Sequence, residues 1–397
     1  MPKLTPELSL LLQKQFPKAF TLYKSSLNKL ASDLGAQQKL LAQIIKINSL
    51  IASPRTRLSF LRAYLRIYSA KINRDGRHGS VIMEITKRCN QQCPHCYSQA
   101  QRNKSMSDKT IKQIIKLVRG NYKHIFITGG EPTLDMRVLS IAKTNPDIIF
   151  FMFTNGGPIN QAYARKLSAV GNLIPVLSVD GSSQKQHDYF KGKGSYSKVK
   201  QAIKILNAAQ IPWGYLSMVT NLNARQVLSK QFVKTMKSKG AILGRYLEYI
   251  PVGQCAAAKL IPTAKTYYLM EKRKRQIIQN SEIYMQETLQ NKCLGLVFFD
   301  VDANIKCCPF FHYAKHNIDQ GNIEGLIKDS TRDWACAKYS GECPVYSNQP
   351  GLQEHLLKRG WKPTLSFNQA NSISPQLAKI MSVNYHSFLE IKATRGL

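Results

Sequence analysis

The chain has 397 residues, of which 43% are apolar, and 57 Lys and Arg against 23 Asp and Glu give a formal net charge of +34. This length excludes a minimal module and suits one large domain with appendages, or two to three domains. The charge favours acidic partners such as nucleic acid, anionic lipid or an acidic peptide, although a solvated cationic surface would produce the same balance.

The first 77 residues place apolar side chains at helical spacing among many lysines and arginines, as in LLAQIIKINSLI and LSFLRAYLRIYSAKI. This pattern predicts two or three basic amphipathic helices that pack on a barrel wall or lie on an anionic surface. The apolar run LSLLL is too short for a signal peptide, and no window has the length of a membrane span. We expect a cytoplasmic protein, with peripheral contact to the inner face of the membrane as an open alternative.

Between residues 78 and 255, short apolar strands alternate with helical segments about six times. The strand segments are VIMEIT, HIFITGGEP, IIFFMFTNGG, IPVLSVDGS, WGYLSMVTNLNA and RYLEYIPVG. The predicted helical segments between them are DKTIKQIIKLVR, QAYARKLSAV, YSKVKQAIKILNAAQ and ARQVLSKQFVKTMKSKG. Alternating strands and helices predict an α/β fold with a parallel sheet and right-handed crossovers. Six units make a partial (β/α)6 TIM-type barrel, and the glycine-rich or polar turns after the strands collect at the rim where such folds build sites.

The pattern changes after residue 256. The segment TAKTYYLMEKRKRQIIQN predicts a basic helix, FFDVDANIKCCPFF predicts a small hairpin, and QLAKIMSVNYHSFLEI predicts a helix in an otherwise partly irregular tail. We therefore divide the chain into a basic helical segment at 1–77, the barrel at 78–255, a small cysteine-rich domain at 256–350 and a tail at 351–397.

Nine cysteines fall into two groups and one isolated residue. The early group is Cys89, Cys93 and Cys96, the late group is Cys293, Cys307, Cys308, Cys336 and Cys343, and Cys255 stands alone. Clustered thiolates favour zinc, copper(I) or iron–sulfur clusters. Structural zinc needs a fourth ligand, and His95 inside the early loop is poorly placed to supply it. Three thiolates can instead hold three irons of a [4Fe–4S] cluster and leave the fourth iron open.

The spacing C-x3-C-x2-C in CNQQCPHC, residues 89–96, resembles that of the radical S-adenosylmethionine (SAM) enzymes, which also place it just after the first barrel strand. Four further segments are similar to motifs of that family in the same order: GGEP at 129–132, SVDG at 178–181, HDYFKGKGSY at 187–196 and EYIPVG at 248–253. The resemblance covers the chain from about residue 81 to residue 255.

This resemblance implies a [4Fe–4S] cluster with an open iron that binds SAM. One electron from a flavodoxin- or ferredoxin-type donor would cleave the cofactor, and the 5′-deoxyadenosyl radical would take a hydrogen atom from substrate. The implied cluster ligands are Cys89, Cys93 and Cys96. The resemblance assigns no catalytic side chain beyond the cofactor sites.

The motifs imply a set of cofactor-binding residues. Gly129 and Gly130 would let the backbone approach closely, and Glu131 would pair with the methionine amino group. Ser178 and Asp180 would meet the ribose or the carboxylate. Ordinary turns and strand-end caps are the alternative explanations for these residues when each is taken alone.

Two positions depart from the family pattern, and one further contact is implied. His95 stands where an apolar aromatic residue usually lies near adenine, and it can still stack. Lys191 stands where an arginine is expected, and it would bind the cofactor carboxylate as a point charge without a fork. Pro251, in the segment after the sixth strand, would lie near adenine.

The late cysteines resemble those of the SPASM/twitch branch of the family, whose C-terminal extension binds an auxiliary cluster. The four implied ligands are Cys293, Cys308, Cys336 and Cys343, which suffice for one [4Fe–4S] cluster. Cys307 is an alternative to Cys308, and zinc is an alternative to iron–sulfur, because four thiolates also complete a tetrahedral site.

Members of that branch often modify peptides, and others act on lipids, cofactors or sugars. The basic N-terminal segment fits an acidic peptide or a membrane lipid. A second hypothesis is a zinc-stabilised, basic nucleic-acid-binding protein, supported by the net charge and by EKRKR at 271–275. Nucleic acid is the less favoured partner, because this hypothesis does not explain the ordered motifs. The substrate and the oligomeric state stay open.

Overall fold

The architecture was analysed in a computed structural model. It describes residues 81–98, 103–121, 124–252, 256–280, 284–287, 296–336, 349–364 and 374–394. The predicted basic helices at 1–77 lie outside these ranges. Within them, no helix combines the length and the apolar character needed to cross a bilayer.

Eight strands run parallel in one sheet. They are Val81–Thr86 (β1), His124–Gly129 (β2), Ile149–Thr154 (β3), Leu173–Ser178 (β4), Trp213–Val219 (β5), Ala241–Glu248 (β6), Tyr284–Glu287 (β7) and Val297–Phe299 (β8). The remaining strands are short: Asn304–Lys306 (β9), Tyr313–Ala314 (β10), His316–Asn317 (β11) and Lys362–Pro363 (β12).

Within the described ranges, helices lie between the successive parallel strands from β1 to β7, and three more follow β8. They are Asp108–Asn121 (α1), Arg137–Thr144 (α2), Gln161–Val170 (α3), Gln184–Lys191 (α4), Ser195–Ala208 (α5), Ala224–Val227 (α6), Lys230–Ser238 (α7), Ala264–Asn280 (α8), Ile323–Cys336 (α9), Gln349–Leu357 (α10) and Pro375–Thr394 (α11). Local sequence sets several boundaries. The Asn160 side chain caps α3 by accepting from the Tyr163 N–H, and Gly171 ends that helix in the left-handed conformation.

The order of the large sheet is β11-β9-β8-β1-β2-β3-β4-β5-β6-β7. The six predicted strands form its centre in chain order, which confirms the partial TIM-type barrel. The sheet is wider than predicted, because β7 and β8, which follow residue 255 in the chain, extend it at β6 and at β1. The predicted hairpin is present as the antiparallel pair β8–β9.

Helices differ from the predictions in three places. The segment 224–240 forms two helices and not one, because Ser229 caps a new helix by accepting from the Phe232 N–H. The segment 187–196, expected as a loop, contains the end of α4 and the start of α5. Helices α2 and α9 were not predicted.

Alternate residues of each strand face opposite sides of the sheet. The outward side chains join the helices in one large apolar core. The inward side chains form a smaller cluster of Ile82, Phe126 and Phe298, with Phe151, Phe153 and Leu296 packed against it. Phe151 and Phe153 are only partly buried.

Candidate active site

The three early cysteines lie on the loop that leaves the carboxyl end of β1. All three thiols are half-buried. The Cys96 N–H donates to the Cys93 carbonyl at 3.2 Å, and the Gln91 N–H donates to Cys89 Sγ at 3.4 Å. Burial raises the pKa of the Cys96 thiol, and the neighbouring Cys93 and Cys89 thiols raise it further. The loop therefore turns back on itself and gathers three thiols in a short stretch.

This arrangement suits a cluster better than a single ion. In the described ranges, no three His, Cys, Asp or Glu side chains converge on a point where one metal ion could bind. Structural zinc requires such convergence of four ligands. A [4Fe–4S] cluster does not, because each thiolate binds a different iron. The donor set, three thiols on one loop, fits a cluster with one iron left without a protein thiolate.

The segment Gly129–Glu131 is pressed against the backbone that leads into the cysteine loop. The Gly130 N–H donates to the Thr86 carbonyl and the Glu131 N–H donates to the Arg88 carbonyl, both at 2.7 Å. A Cβ on Gly129 would lie 2.1 Å from the Thr86 carbonyl oxygen, and one on Gly130 would lie 2.3 Å from the Arg88 carbonyl oxygen. Side chains are therefore excluded at both glycines.

The Glu131 carboxylate is held inside the protein. One oxygen accepts from the Thr133 N–H at 3.1 Å, from Thr133 Oγ1 at 2.5 Å and from Thr154 Oγ1 at 2.6 Å. The other accepts from the Asn155 N–H at 2.7 Å. Burial raises the pKa of Glu131, and these hydrogen bonds oppose the increase. The observed role of Glu131 is thus to join the ends of β2 and β3, and its predicted contact with the cofactor amino group stays a prediction.

Asp180 and Lys191 form a buried ion pair beside the cysteine loop. Lys191 Nζ lies 3.0 Å from Asp180 Oδ2, and Asp180 Oδ1 accepts from the Met218 N–H at 2.7 Å. Burial lowers the pKa of Lys191, but Asp180, Cys93 and Cys96 together outweigh that effect, so the pKa is raised. Lys191 therefore stays charged within electrostatic range of two of the early thiols.

His95 joins three parts of the rim. Its ring centroid lies 5.9 Å from that of Phe190 in α4 and 6.4 Å from that of Tyr249, which follows β6. Burial lowers the pKa of His95 to about 4, and the Lys191 charge adds to this effect. The imidazole is therefore a neutral aromatic ring at neutral pH, as stacking requires. Pro251 is buried two residues beyond Tyr249.

The strand order explains why these predicted residues meet. The carboxyl ends of parallel strands lie at the same edge of a sheet. The cysteine loop follows β1, the Gly129–Glu131 segment ends β2, and Ser178, half-exposed, is the last residue of β4. Asp180 lies two residues further on.

The described part of the late cysteine group lies close to the early one. Cys307 and Cys308 follow β9 and are buried. The ring of Phe310 packs edge-on against that of Tyr97, the residue after Cys96, with 5.0 Å between centroids. Three of the other cysteines, Cys255, Cys293 and Cys343, lie outside the described residues. Cys336 is the last residue of α9, but its side chain is not among the described ones.

Sequence reasoning did not identify several residues that organise the rim. Thr154 and Asn155 bind Glu131, and Asn155 Nδ2 also donates to Asn90 Oδ1 in the cysteine loop at 2.8 Å. Tyr97 was likewise not singled out. Thr154 and Asn155 could have been identified from the polar ending FTNGG of an otherwise apolar strand.

Comparison with protein families and curated proteins supports the resemblance. The model of the radical SAM superfamily matches residues 83–228. An uncharacterized protein of Methanocaldococcus jannaschii is 30% identical over 171 residues, which cover 40% of this chain and 59% of that protein. The mycofactocin maturase MftC of Mycobacterium tuberculosis is 25% identical over 299 residues, which cover 68% of this chain and 76% of the maturase.

Solved structures share the fold. The enzyme anSMEcpe with bound AdoMet has a TM-score of 0.56 at 17% identity, covering 80% of this chain and 97% of that one. SuiB of Streptococcus suis, bound to the precursor peptide SuiA, has a TM-score of 0.52 at 16% identity, covering 70% of each chain. Enzymes of this superfamily use a [4Fe–4S] cluster and SAM. Residues 83–228 therefore form a radical SAM domain, and the relatives of the chain include SPASM/twitch-type maturases.

Proposed function

We propose that this protein cleaves SAM reductively and removes a hydrogen atom from a peptide substrate. The observation that carries this proposal is the meeting of the cysteine loop, the Gly129–Glu131 segment and the Asp180–Lys191 pair at one rim. When bound, the cluster and SAM supply the 5′-deoxyadenosyl radical. The protein's own residues hold and shield these groups.

Each rim residue has a proposed task. Cys89, Cys93 and Cys96 hold the cluster. The cationic Lys191, fixed by Asp180, binds the cofactor carboxylate. The neutral His95 ring stacks on adenine, which fits its position between two other aromatic rings. Ser178 and Pro251 complete the cofactor site from β4 and from the segment after β6.

A peptide substrate is supported by the relatives. MftC is named a mycofactocin maturase, and SkfB of Bacillus subtilis, 26% identical over 181 residues, is named a sporulation killing factor maturation protein. SuiB was solved with a precursor peptide. The net charge of +34 favours an acidic peptide, because a positively charged protein attracts it electrostatically.

The same relatives support one auxiliary cluster, held by Cys293, Cys308, Cys336 and Cys343. The contact between Phe310 and Tyr97 is consistent with this, because it places the end of the hairpin beside the early loop. The flavodoxin- or ferredoxin-type donor, the domain boundaries and the membrane contact of the N-terminal segment stay predictions.

The comparisons do not support the alternative of a zinc-stabilised nucleic-acid-binding protein. The absence of a single-ion site among the described residues also counts against zinc at the early cysteines. We do not pursue this alternative.

Replacing Cys89, Cys93 and Cys96 together by Ala tests the proposed chemistry. The anaerobic wild-type protein with dithionite and SAM is expected to release 5′-deoxyadenosine, measured by chromatography. The triple variant is expected to release none while keeping the iron of the late cysteines. If the triple variant still forms 5′-deoxyadenosine, the cluster assignment is wrong.

A separate experiment tests the substrate class. A library of acidic peptides is expected to increase 5′-deoxyadenosine formation above the uncoupled rate, whereas a basic library of the same length is not. The contrary result would be stimulation by anionic phospholipid vesicles and by neither library, which would transfer the proposal to a lipid substrate.

A further inference from the structure

One asparagine connects the end of β3 to the cysteine loop. Asn155 follows β3 directly, is 9% exposed, and its Nδ2 donates to Asn90 Oδ1 at 2.8 Å. Asn90 itself follows Cys89 and has no assigned task. We propose that Asn155 is a positioning residue that holds the cysteine loop through Asn90. This inference rests on the proposed function of that loop.

The orientation of the Asn155 amide follows from its second hydrogen bond. The Gly157 N–H donates to Asn155 Oδ1 at 2.8 Å. A backbone N–H can only donate, so the atom it faces must be the amide oxygen. The amide nitrogen of Asn155 is therefore turned to Asn90, and Asn90 must present its oxygen. A side chain with a donor at one end and an acceptor at the other is required at position 155.

The backbone at Asn155 is held by the Glu131 carboxyl group. Its backbone N–H donates to Glu131 Oε2 at 2.7 Å, and the preceding Thr154 Oγ1 donates to Glu131 Oε1 at 2.6 Å. These two short hydrogen bonds fix the end of β3 to the segment after β2. The chain of contacts Glu131–Asn155–Asn90 thus connects the second motif to the first.

Gly157 provides independent support, because it leaves room for Asn90. A Cβ at Gly157 would lie 2.8 Å from Asn90 Nδ2 and 3.0 Å from Asn155 Oδ1. Such distances are below normal contact, so any side chain there would displace the Asn90–Asn155 pair. The backbone of 155–157 is thus shaped to receive the Asn90 side chain.

The consequence concerns the placement of the thiols. Asn90 is exposed apart from this contact and stands next to the first cluster ligand. Without the Asn155 bond, the loop between Cys89 and Cys93 can adopt more conformations, and the first thiolate is less well placed. We expect faster loss of iron from the early site and a lower rate of cofactor cleavage, with a smaller change in the affinity for SAM.

A double-mutant cycle tests this inference with Asn155→Ala, Asn90→Ala and the double variant. Each single variant is expected to release iron to a chelator about tenfold faster than wild type, as the loss of one hydrogen bond of this type implies. The double variant is expected to be no worse than either single one. Asn90→Asp keeps an acceptor for Asn155 and is expected to restore slow release. The readouts are chelator kinetics and the electron paramagnetic resonance spectrum of the reduced cluster, both recorded in a Cys308→Ala background to remove late iron.

Asn207→Ala is the matched control. Asn207 also makes two side-chain hydrogen bonds of 2.8 Å, to Trp213 Nε1 and to the Lys239 carbonyl, and it lies at the end of α5 away from the cysteines. It is expected to lower the unfolding temperature without changing iron release. Wild-type iron release in Asn155→Ala, or additive effects in the double variant, would overturn the inference. Failure of wild type to form 5′-deoxyadenosine would instead overturn the proposed function, because iron release is measured independently.

Discussion

The two cysteine groups of this protein differ in how their ligands are brought together. The early group lies within eight residues, 89–96, on a loop held by backbone bonds from the ends of β1 and β2. The late group extends from residue 293 to residue 343 and includes a hairpin end and a helix end. A ligand set on one loop can be recognised from its spacing, whereas a dispersed set depends on how distant segments pack.

The largest expected effect concerns the early group and its support. Gly130→Ala places a Cβ 2.3 Å from the Arg88 carbonyl oxygen, so the backbone before Cys89 must move. We expect a loss of about 2–3 kcal/mol in the free energy of unfolding and at least about tenfold slower 5′-deoxyadenosine formation. Urea denaturation and chromatography measure the two quantities.

Gly325→Ala is the control for this substitution. Gly325 lies in α9, and the atom nearest to a Cβ there is Asn322 Nδ2 at 3.3 Å, the end of a side chain that can move. We expect a change of about 0.5–1 kcal/mol towards greater stability, because alanine favours a helix. Equal effects of the two substitutions would refute the steric argument for Gly130.

The late group is tested by comparing Cys308→Ala with Cys307→Ala. Both thiols are buried, at 3% and 4% exposure, so packing alone does not distinguish them. We expect Cys308→Ala to lose about four irons per chain while cofactor cleavage continues, and Cys307→Ala to keep them. Iron and acid-labile sulfide analysis measures this difference. The reverse pattern would identify Cys307 as the ligand. Unchanged iron content in both variants would contradict the proposed auxiliary cluster.

An effect confined to acidic pH is expected from His187, which supports the Asp180 side of the rim. Its Nδ1 accepts from the Asp180 N–H at 3.3 Å, and burial lowers its pKa to about 4. Between that pKa and about 6.5 the unfolded chain binds a proton that the native protein does not. The stabilisation is therefore complete above pH 6.5 and is lost as the pH falls towards 4, by about 3 kcal/mol in total.

His187→Gln is expected to weaken this pH dependence of the free energy of unfolding, measured by urea denaturation at several pH values. His386→Gln, the same substitution at an exposed position of α11, is the control for the change of side chain itself. An unchanged slope in His187→Gln would show that His187 is not the group responsible.

The smallest effect is expected at the β8–β9 turn of the late region. Ala303 has φ of 66°, in the left-handed region that favours glycine. Ala303→Gly should raise stability by about 0.5–1 kcal/mol and the melting temperature accordingly. Gln210→Gly, at the other non-glycine residue with positive φ in the described ranges (φ of 53°), should act in the same direction. A lower melting temperature in both variants would show that the positive φ angles of these residues do not strain the backbone.

The strands illustrate how much of the fold was predictable. Apolar runs such as IIFFMFT mark β3 without ambiguity, and the order of six strands followed from their alternation with helices. The edges of the sheet were not predictable. Strand β8 has three residues and β7 has four, too few for periodicity to distinguish them from loop. Their places beside β1 and β6 depend on contacts between segments far apart in the chain.

The candidate site divides in the same way. The sequence by itself determined the cysteine loop, the two glycines before Glu131 and the strand-end position of Asp180, because each depends on neighbours within a few residues. Only the tertiary structure decided that Glu131 is enclosed by Thr154 and Asn155, and that Asn155 reaches Asn90. Hydrogen bonds between side chains 23 to 65 positions apart leave no periodic or spacing signal, since they depend on which strand ends the sheet places side by side.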